Sequence, residues 1–306
     1  MYKIILIGLI TIAVSCSGIR KQESPDKLVM GFVTADDPQG TMAYHIILAN
    51  YLKKELNLKK VTLFTSTDYA TIIEAMKAKK IDVALIGELA YILAHQKAGA
   101  DAIVKASLPG SLLPTGSVII TYRGSGLNSM EDVKANSKNL TLLFSDPAST
   151  SGHMYPRDYL NKIGLPPESS FKQVSFANGH TATVLSLISH KVDLACTFIP
   201  GLTRLEHKGI ISKADYKILW ISGNYPTSPF CIRGDLPLIF RRKVQQAIIN
   251  FRLKEPNMWK AYSDKALLYY DDSIRSKIIY VSCEDSTYNP IRKVIKNIKG
   301  FNFGLK

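Results

Sequence analysis

Three consecutive hydroxyl residues, Ser149, Thr150 and Ser151, stand between a strand pattern and a helix pattern, and Gly152 follows them. The first backbone N–H groups of a helix lack partners inside the helix and carry a partial positive charge. Hydroxyl donors beside them could bind an oxyanion, and a glycine lets a ligand approach the backbone. Helix capping is the competing interpretation, because Ser and Thr are common N-cap residues. Capping needs only one hydroxyl, so the row leaves both interpretations open.

Tyr69 and His180 each begin a predicted helix directly after a strand pattern. The segments "YATIIEAMKAKKIDVAL", from Tyr69, and "HTATVLSLISHKVDLAC", from His180, align without a gap. A helix–strand unit that recurs in both halves of the chain predicts two lobes of like topology. Ligands of α/β sheets bind where helices follow strands, and an imidazole can donate to an oxyanion. A capping or surface histidine is the alternative for His180.

Strand and helix patterns alternate along both halves of the chain. The strand patterns are "KLVMGFVTA", "VTLFTST" and "IDVALIG" in the first half, and "NLTLLFSD", "FKQVSFAN" and "KVDLACTF" in the second. This alternation predicts an α/β fold with parallel or mixed sheets. The chain is long enough for two domains, and its 46% hydrophobic and 21% charged residues are typical of a globular protein.

The N-terminus reads as a secretion signal. In "MYKIILIGLITIAVSC" one lysine precedes an apolar run from Ile4 to Val14, which is too short to span a bilayer. The end of this segment resembles a bacterial lipobox, in which the cysteine becomes the lipidated first residue. We therefore predict a lipoprotein signal peptide over residues 1–16, lipidation at Cys16 and a polar tether over residues 17–26. An ordinary signal peptide that contains a cysteine is the alternative.

Charge, cysteine and histidine patterns exclude several classes of site. The formal net charge of +14 favours anionic partners, but the basic residues are spread and lack interleaved aromatics, so we expect no nucleic-acid partner. The cysteines after Cys16 are odd in number and far apart, which indicates buried free thiols. The histidines show no metal-ligand spacing, and we predict neither a metal nor a cofactor.

Two long segments carry a resemblance to a known family. "DPASTSGHMYPRDYL" followed by "FANGHTATVLSLISHKVDLA" resembles the PhnD-like phosphonate-binding proteins of ABC transporters. The segments "DYATIIEAMKAKKIDVALIG", "SPFCIRGDLP" and "YNPIRKVI" agree in the same order. The resemblance implies a two-lobed periplasmic-binding-protein fold, each lobe a mixed sheet flanked by helices, with the ligand cleft between the lobes. We expect residues 27–118 and 229–306 in the first lobe and residues 119–228 in the second.

The resemblance also implies the ligand-binding residues. The phosphonate oxygens would be held by side chains of the second lobe and by one tyrosine of the first, together with the loop glycine: Ser149, Thr150, Ser151, Gly152, His180 and Tyr69. Two departures lie at the other end of the pocket. Ser228 stands where relatives that bind aminoalkyl phosphonates have an acid, and "LIGE" replaces a "WYGN"-like segment and introduces Glu88. Glu88 could supply the missing acid or cap the helix that follows it.

The function implied is a solute-binding lipoprotein of an ABC importer. It would sit in the cell envelope, anchored to the membrane by lipid, capture a phosphonate- or phosphite-type oxyanion by hinge closure, and pass it to a permease in the cytoplasmic membrane. A ligand-sensing partner of a membrane receptor on the same fold is the main alternative. A hydrolase using Ser151 and His180 lacks a third triad member and a G-x-S-x-G motif, so we predict that the protein is not an enzyme.

Overall fold

A computed structural model of the protein describes residues 25–34, 36–113 and 115–298. The predicted signal peptide, Cys16 and most of the tether lie outside these residues. The chain forms two mixed sheets, each flanked by helices, which confirms the predicted two-lobed α/β architecture. No helix of the described residues is long and apolar enough to cross a membrane.

Strands and helices alternate through most of the chain. The strands are β1 (Lys27–Val33), β2 (Lys60–Ser66), β3 (Val83–Leu85), β4 (Ala100–Ser107), β5 (Ser117–Tyr122), β6 (Thr141–Phe144), β7 (Gln173–Phe176), β8 (Leu194–Phe198), β9 (Tyr216–Ile221), β10 (Pro229–Arg233) and β11 (Ile279–Ser282). The helices are α1 (Pro38–Glu55), α2 (Tyr69–Lys77), α3 (Glu88–Ala98), α4 (Met130–Asn136), α5 (Tyr155–Lys162), α6 (Pro167–Ser170), α7 (His180–Ile188), α8 (Ile199–His207), α9 (Leu238–Lys254), α10 (Pro256–Ala266), α11 (Asp272–Arg275) and α12 (Asn289–Asn297). Short 3₁₀ turns occupy Ser137–Asn139 and Asp285–Tyr288, and a π-helical turn occupies Thr150–Met154.

The two sheets share one strand arrangement. The first sheet has the order β11-β4-β10-β3-β1-β2, and the second has the order β7-β6-β8-β5-β9. In each sheet three parallel strands, β2-β1-β3 or β7-β6-β8, are followed by one antiparallel strand, β10 or β5. This likeness is what the internal repeat predicts. We call the parts of the chain around the first and second sheets the first and second lobes.

The chain passes between the sheets twice, after β4 and after β9. Ser117 and Val118, which the sequence places in the first lobe, pair with Phe198 and Thr197 in the second sheet. The predicted boundary is wrong at these two residues because β5 is already hydrogen-bonded to β8 from its first residue. The other lobe boundaries stay a prediction.

The aspartates of the repeat, Asp82 and Asp193, make the same kind of hydrogen bond in both lobes. Asp82 accepts a hydrogen bond from the Val29 backbone N–H at 2.8 Å, and Asp193 accepts one from the Thr141 backbone N–H at 2.8 Å. Asp82 lies just before β3 and bonds to β1, and Asp193 lies just before β8 and bonds to β6. Asp82 is also paired with Arg233 at 2.8 Å. Both carboxylates are half-buried and bond to neighbouring strands of their own sheets, so these positions fix the register of the strands rather than bind a ligand.

Each lobe has its own apolar core. Tyr51, Phe230 and Phe251 are among the largest buried side chains of the first lobe, and Phe144 is the largest fully buried one in the second. Burying one such side chain stabilises the fold by roughly 1.5–3 kcal/mol. The cores also contain Cys196, Cys231 and Cys283 as buried free thiols, in line with the interpretation of the sequence.

Candidate ligand-binding cleft

A cavity of about 280 Å³ lies between the two lobes and is lined by side chains from both. Most of the predicted ligand-binding residues line it: Tyr69, Glu88, Ser149, Thr150, Ser151, His180 and Ser228. Gly152 follows directly in the same loop. The structure therefore brings together residues that are up to about half the chain apart in sequence. Within the described residues no group of His, Cys, Asp or Glu is arranged to hold a metal ion.

The hydroxyl loop connects β6 to α5 through the π-helical turn. The Met154 N–H donates to the Ser149 carbonyl at 3.1 Å, the long spacing that defines such a turn. The Ser149 hydroxyl accepts from the Gly152 N–H at 2.9 Å. Capping is thus correct for Ser149, but its hydroxyl proton is still available to another acceptor. The sequence predicted a helix after the three hydroxyl residues and missed the π-helical turn.

Thr150 and Ser151 connect this loop to other elements. The Thr150 hydroxyl accepts from the Leu89 backbone N–H of α3 at 2.8 Å, so it caps a helix of the other lobe. The Ser151 carbonyl accepts from the Ser117 hydroxyl at 2.5 Å, and the Ser151 hydroxyl is a hydrogen-bonding neighbour of Tyr225. Both residues are buried. The loop is therefore held on two sides, one of them in the opposite lobe.

Gly152 is required by its surroundings. A Cβ at this position would lie 2.3 Å from Ser145 Oγ and 3.0 Å from His180 Cε1. Ser145 is itself fixed, since its backbone N–H donates to the Gly152 carbonyl at 3.0 Å. Close packing against Ser145, rather than an unusual backbone angle, explains the glycine.

His180 begins α7 and is buried against the same loop. Its Nδ1 lies 3.0 Å from Ser145 Oγ and 3.1 Å from Thr197 Oγ1. Burial lowers the pKa of His180, so the imidazole is neutral at ordinary pH. If the Thr197 hydroxyl donates to Nδ1, the proton resides on Nε2, which is then a hydrogen-bond donor. The groups at Nδ1 are hydroxyls, whereas the histidine of a catalytic triad is oriented by a carboxylate.

Tyr69 occupies the equivalent position in the first lobe. It begins α2, whose N-terminus is capped by Asp68 through a 2.7 Å bond from the Thr71 N–H. The Tyr69 hydroxyl packs over Gly87, just before Glu88. Burial raises the pKa of Tyr69, which keeps its phenol protonated and able to donate. Asp146, at the end of β6 in the second lobe, accepts from the Tyr69 backbone N–H.

Glu88 and Ser228, the two departures from the family pattern, are bonded to each other. The Ser228 hydroxyl donates to Glu88 Oε1 at 2.9 Å. Burial raises the pKa of Glu88, and hydrogen bonds from its own N–H and from the Thr150 and Ser228 hydroxyls offset part of the shift. Glu88 is the first residue of α3, but the Leu89 N–H is capped by Thr150. The carboxyl group of Glu88 lines the cleft and, besides its own backbone N–H, accepts from hydroxyls of both lobes.

Sequence reasoning missed a second group of cross-cleft contacts. Asp36 accepts from the Thr181 N–H of α7 at 2.8 Å, and the Arg204 guanidinium lies 3.3 Å from its carboxylate. Arg204 Nη2 is buried, and the Asp36 carboxylate lies within ion-pair distance of it. Asp37 forms an ion pair with Lys208 at 2.5 Å. The sequence signal for these contacts is the acidic pair in "DDPQG", shortly after β1.

Tyrosines form much of the remaining wall, and none of these was predicted from the sequence. They are Tyr44, Tyr225, Tyr262, Tyr269, Tyr270 and Tyr280. Tyr225 lies between β9 and β10, stacks on Tyr155 with ring centroids 4.8 Å apart, and donates to the Thr115 carbonyl at 2.8 Å. The second crossing between the lobes therefore contributes directly to the cavity.

Known proteins resemble this chain over most of its length. The family profile "ABC transporter, phosphonate, periplasmic substrate-binding protein" matches residues 30–272. The phosphonates-binding periplasmic protein of Escherichia coli K12 is 26% identical over 244 residues, which cover 80% of this chain and 72% of the relative.

Two solved structures share the fold. The binding protein component of an ABC phosphonate transporter from Pseudomonas aeruginosa has a TM-score of 0.78 at 23% identity and covers 91% of this chain and 90% of its own. PhnD1 from Prochlorococcus marinus, solved with methylphosphonate, has a TM-score of 0.75 at 20% identity and covers 90% of this chain and 100% of its own. These matches confirm the periplasmic-binding-protein fold. The chain belongs to the family of periplasmic substrate-binding proteins of phosphonate ABC transporters.

Proposed function

We propose that the protein is the solute-binding component of an ABC importer, which captures a phosphonate- or phosphite-type oxyanion between its lobes and delivers it to a permease. The observation that carries the proposal is the meeting of hydrogen-bond donors from both lobes in one cavity. The E. coli relative is named a phosphonates-binding protein, and the Prochlorococcus protein was solved with methylphosphonate. Ligand contacts to both sides favour a closed state, so capture proceeds by hinge closure.

The donors of the second lobe are assigned to the phosphorus oxygens. They are Ser149, whose hydroxyl proton is still available, Ser151 and His180, with Thr150 joining them when its proton is released from Glu88. Tyr69 donates from the first lobe, and Gly152 gives the loop its shape. Glu88 and Ser228 lie where the substituent on phosphorus would lie. The net positive charge supports attraction of an anion from solution.

The protein is further proposed to be a lipoprotein of the cell envelope and not an enzyme. The N-terminal segment supports a signal peptide over residues 1–16 with lipidation at Cys16, which would tether the protein beside its permease. Membrane fractionation of cells expressing the wild-type chain and Cys16→Ala tests the anchor. We expect the variant to leave the membrane fraction, and an unchanged distribution would contradict lipidation at this residue.

Calorimetric titration with methylphosphonate, phosphite, phosphate and sulfate tests the binding function. Ser149→Ala and Ser151→Ala should each remove a charge-assisted hydrogen bond worth about 1.5–3 kcal/mol, which is a loss of affinity of more than tenfold. Ser273→Ala, on the exposed surface of α11, is the matched control and should bind as the wild type does. Unchanged affinity in both loop variants, with the fold intact, would refute the proposed site.

A further inference from the structure

We propose that Glu88 is a proton-linked specificity residue, and that the cleft closes on its oxyanion with one proton taken up by the Glu88 carboxyl group. The inference rests on the proposed function, because it concerns the same cleft. It names the preferred ligand as an oxyanion without a cationic substituent.

The protonation state of Glu88 decides whether the Thr150 hydroxyl can donate to a ligand. The hydroxyls of Thr150 and Ser228 carry one proton each, and an ionised carboxylate can only accept. An ionised Glu88 therefore holds both protons, and the Thr150 oxygen already accepts from Leu89. In that state Thr150 has no proton to donate to a ligand. A neutral Glu88 brings its own proton and leaves the Thr150 proton free to point at an oxyanion.

The charged and titratable groups around the cleft provide no cationic partner for Glu88. The described residues include no Lys or Arg in an ion pair with Glu88, and two cations of the cavity, Arg204 and Lys208, already face Asp36 and Asp37. A third, Lys265, is exposed at the rim. The titratable groups that face Glu88 from the neighbouring elements are Tyr69, Tyr155, Tyr225, Tyr269, Tyr270 and Tyr288, whose raised pKa values keep them uncharged. Among the described residues, therefore, no cationic side chain is paired with this buried carboxylate beside a bound anion.

Closure of the lobes changes the surroundings, and with them the pKa, of Glu88. With the lobes apart, Glu88 would lose its contact with Thr150 and face water, where a glutamate has a pKa of about 4.3. Burial in the closed arrangement raises the pKa of Glu88, and a second negative charge in the cleft raises it further. A group whose pKa rises on closure takes up a proton when the pH lies between its two pKa values. In that window the affinity for an anion falls about tenfold for each unit of increase in pH on account of this group.

Proton counting by calorimetry tests the inference. Binding of methylphosphonate is measured between pH 6 and pH 8 in pairs of buffers with different ionisation enthalpies, for the wild type, Glu88→Gln and Glu131→Gln. Because the ligand titrates identically in all three, the difference between proteins isolates Glu88. We expect the wild type and Glu131→Gln, on the exposed first turn of α4, to take up more protons per ligand than Glu88→Gln, with the difference approaching about one proton where the pH lies between the two pKa values of Glu88. The affinity of Glu88→Gln should fall less with rising pH than that of the wild type. A thermal melt checks that this variant is folded.

Two results would overturn the inference while leaving the proposed function intact. One is equal proton uptake by the wild type and Glu88→Gln. The other is tighter binding of 2-aminoethylphosphonate than of methylphosphonate, lost at least tenfold in Glu88→Gln, since Glu88 would then be an ionised partner of an ammonium group. A wild-type protein that binds no phosphorus oxyanion would instead overturn the proposed function, and with it this inference.

Discussion

Gly152→Ala tests whether the hydroxyl loop has one workable shape. The added Cβ would lie 2.3 Å from Ser145 Oγ and 2.5 Å from Ser145 Cβ, both well inside van der Waals contact. Ser145 cannot turn away freely, because its hydroxyl donates to the Cys196 carbonyl at 2.8 Å and contacts His180 Nδ1 at 3.0 Å. Relief of the clash must therefore move the loop, break a buried hydrogen bond, or displace His180.

The cost follows from those alternatives. Overpacking a tight interior costs about 1–3 kcal/mol, and a broken buried hydrogen bond adds about 1 kcal/mol. We expect urea denaturation to show a free energy of unfolding lower by about 2–4 kcal/mol, and calorimetry to show more than tenfold weaker binding of methylphosphonate. Gly124→Ala is the control, since a Cβ there meets nothing within 4 Å. If Gly152→Ala unfolds and binds as the wild type does, the loop is soft and our account of it is incorrect.

Three further predictions concern pH, pairing and closure. Burial lowers the pKa of His153 to about 3, so the stability that this neutral side chain contributes above pH 6.5 is lost as the pH falls towards 3, by about 1.4 kcal/mol per pH unit; urea denaturation should show a weaker pH dependence in His153→Gln, and an equal slope would contradict this. Asp193→Ala leaves the half-buried Thr141 N–H without its acceptor and should cost about 1–3 kcal/mol of unfolding free energy, whereas an unchanged denaturation midpoint would rule out that role. Small-angle scattering should give a smaller radius of gyration with saturating methylphosphonate, and identical curves would count against hinge closure.

The local pattern of the sequence was enough to predict where the helices of the site begin. Strand patterns followed by helix patterns predicted helices at Tyr69 and His180, and the structure begins α2 and α7 at these residues. The gapless repeat also predicted two lobes of like topology, since each half carries its own strand–helix–strand signals. Such information is contained in neighbouring residues, which is why it can be read without a structure.

The contacts across the cleft could not be predicted in this way. Thr150 and Leu89 are 61 positions apart, and Asp36 and Thr181 are 145 positions apart. Their meeting depends on how two separately folded lobes lie against each other, and no local pattern encodes that. For the same reason the sequence left open whether Glu88 caps its helix, whereas the structure shows that a side chain from the opposite lobe caps the Leu89 N–H.

Two helices each have a first-turn amide that is capped by a residue of the other lobe, and these two amides report on opening of the cleft. Amide hydrogens in the first turn of a helix ordinarily exchange quickly with solvent because they have no partner inside the helix. Here the amides of Leu89 and Thr181 are bonded to Thr150 and Asp36 of the opposite lobe. Exchange at these two positions requires the lobes to part, while the neighbouring core amides require unfolding. Deuterium uptake at Leu89 and Thr181 would therefore measure how often the cleft opens, both in the ligand-free protein and with any ligand.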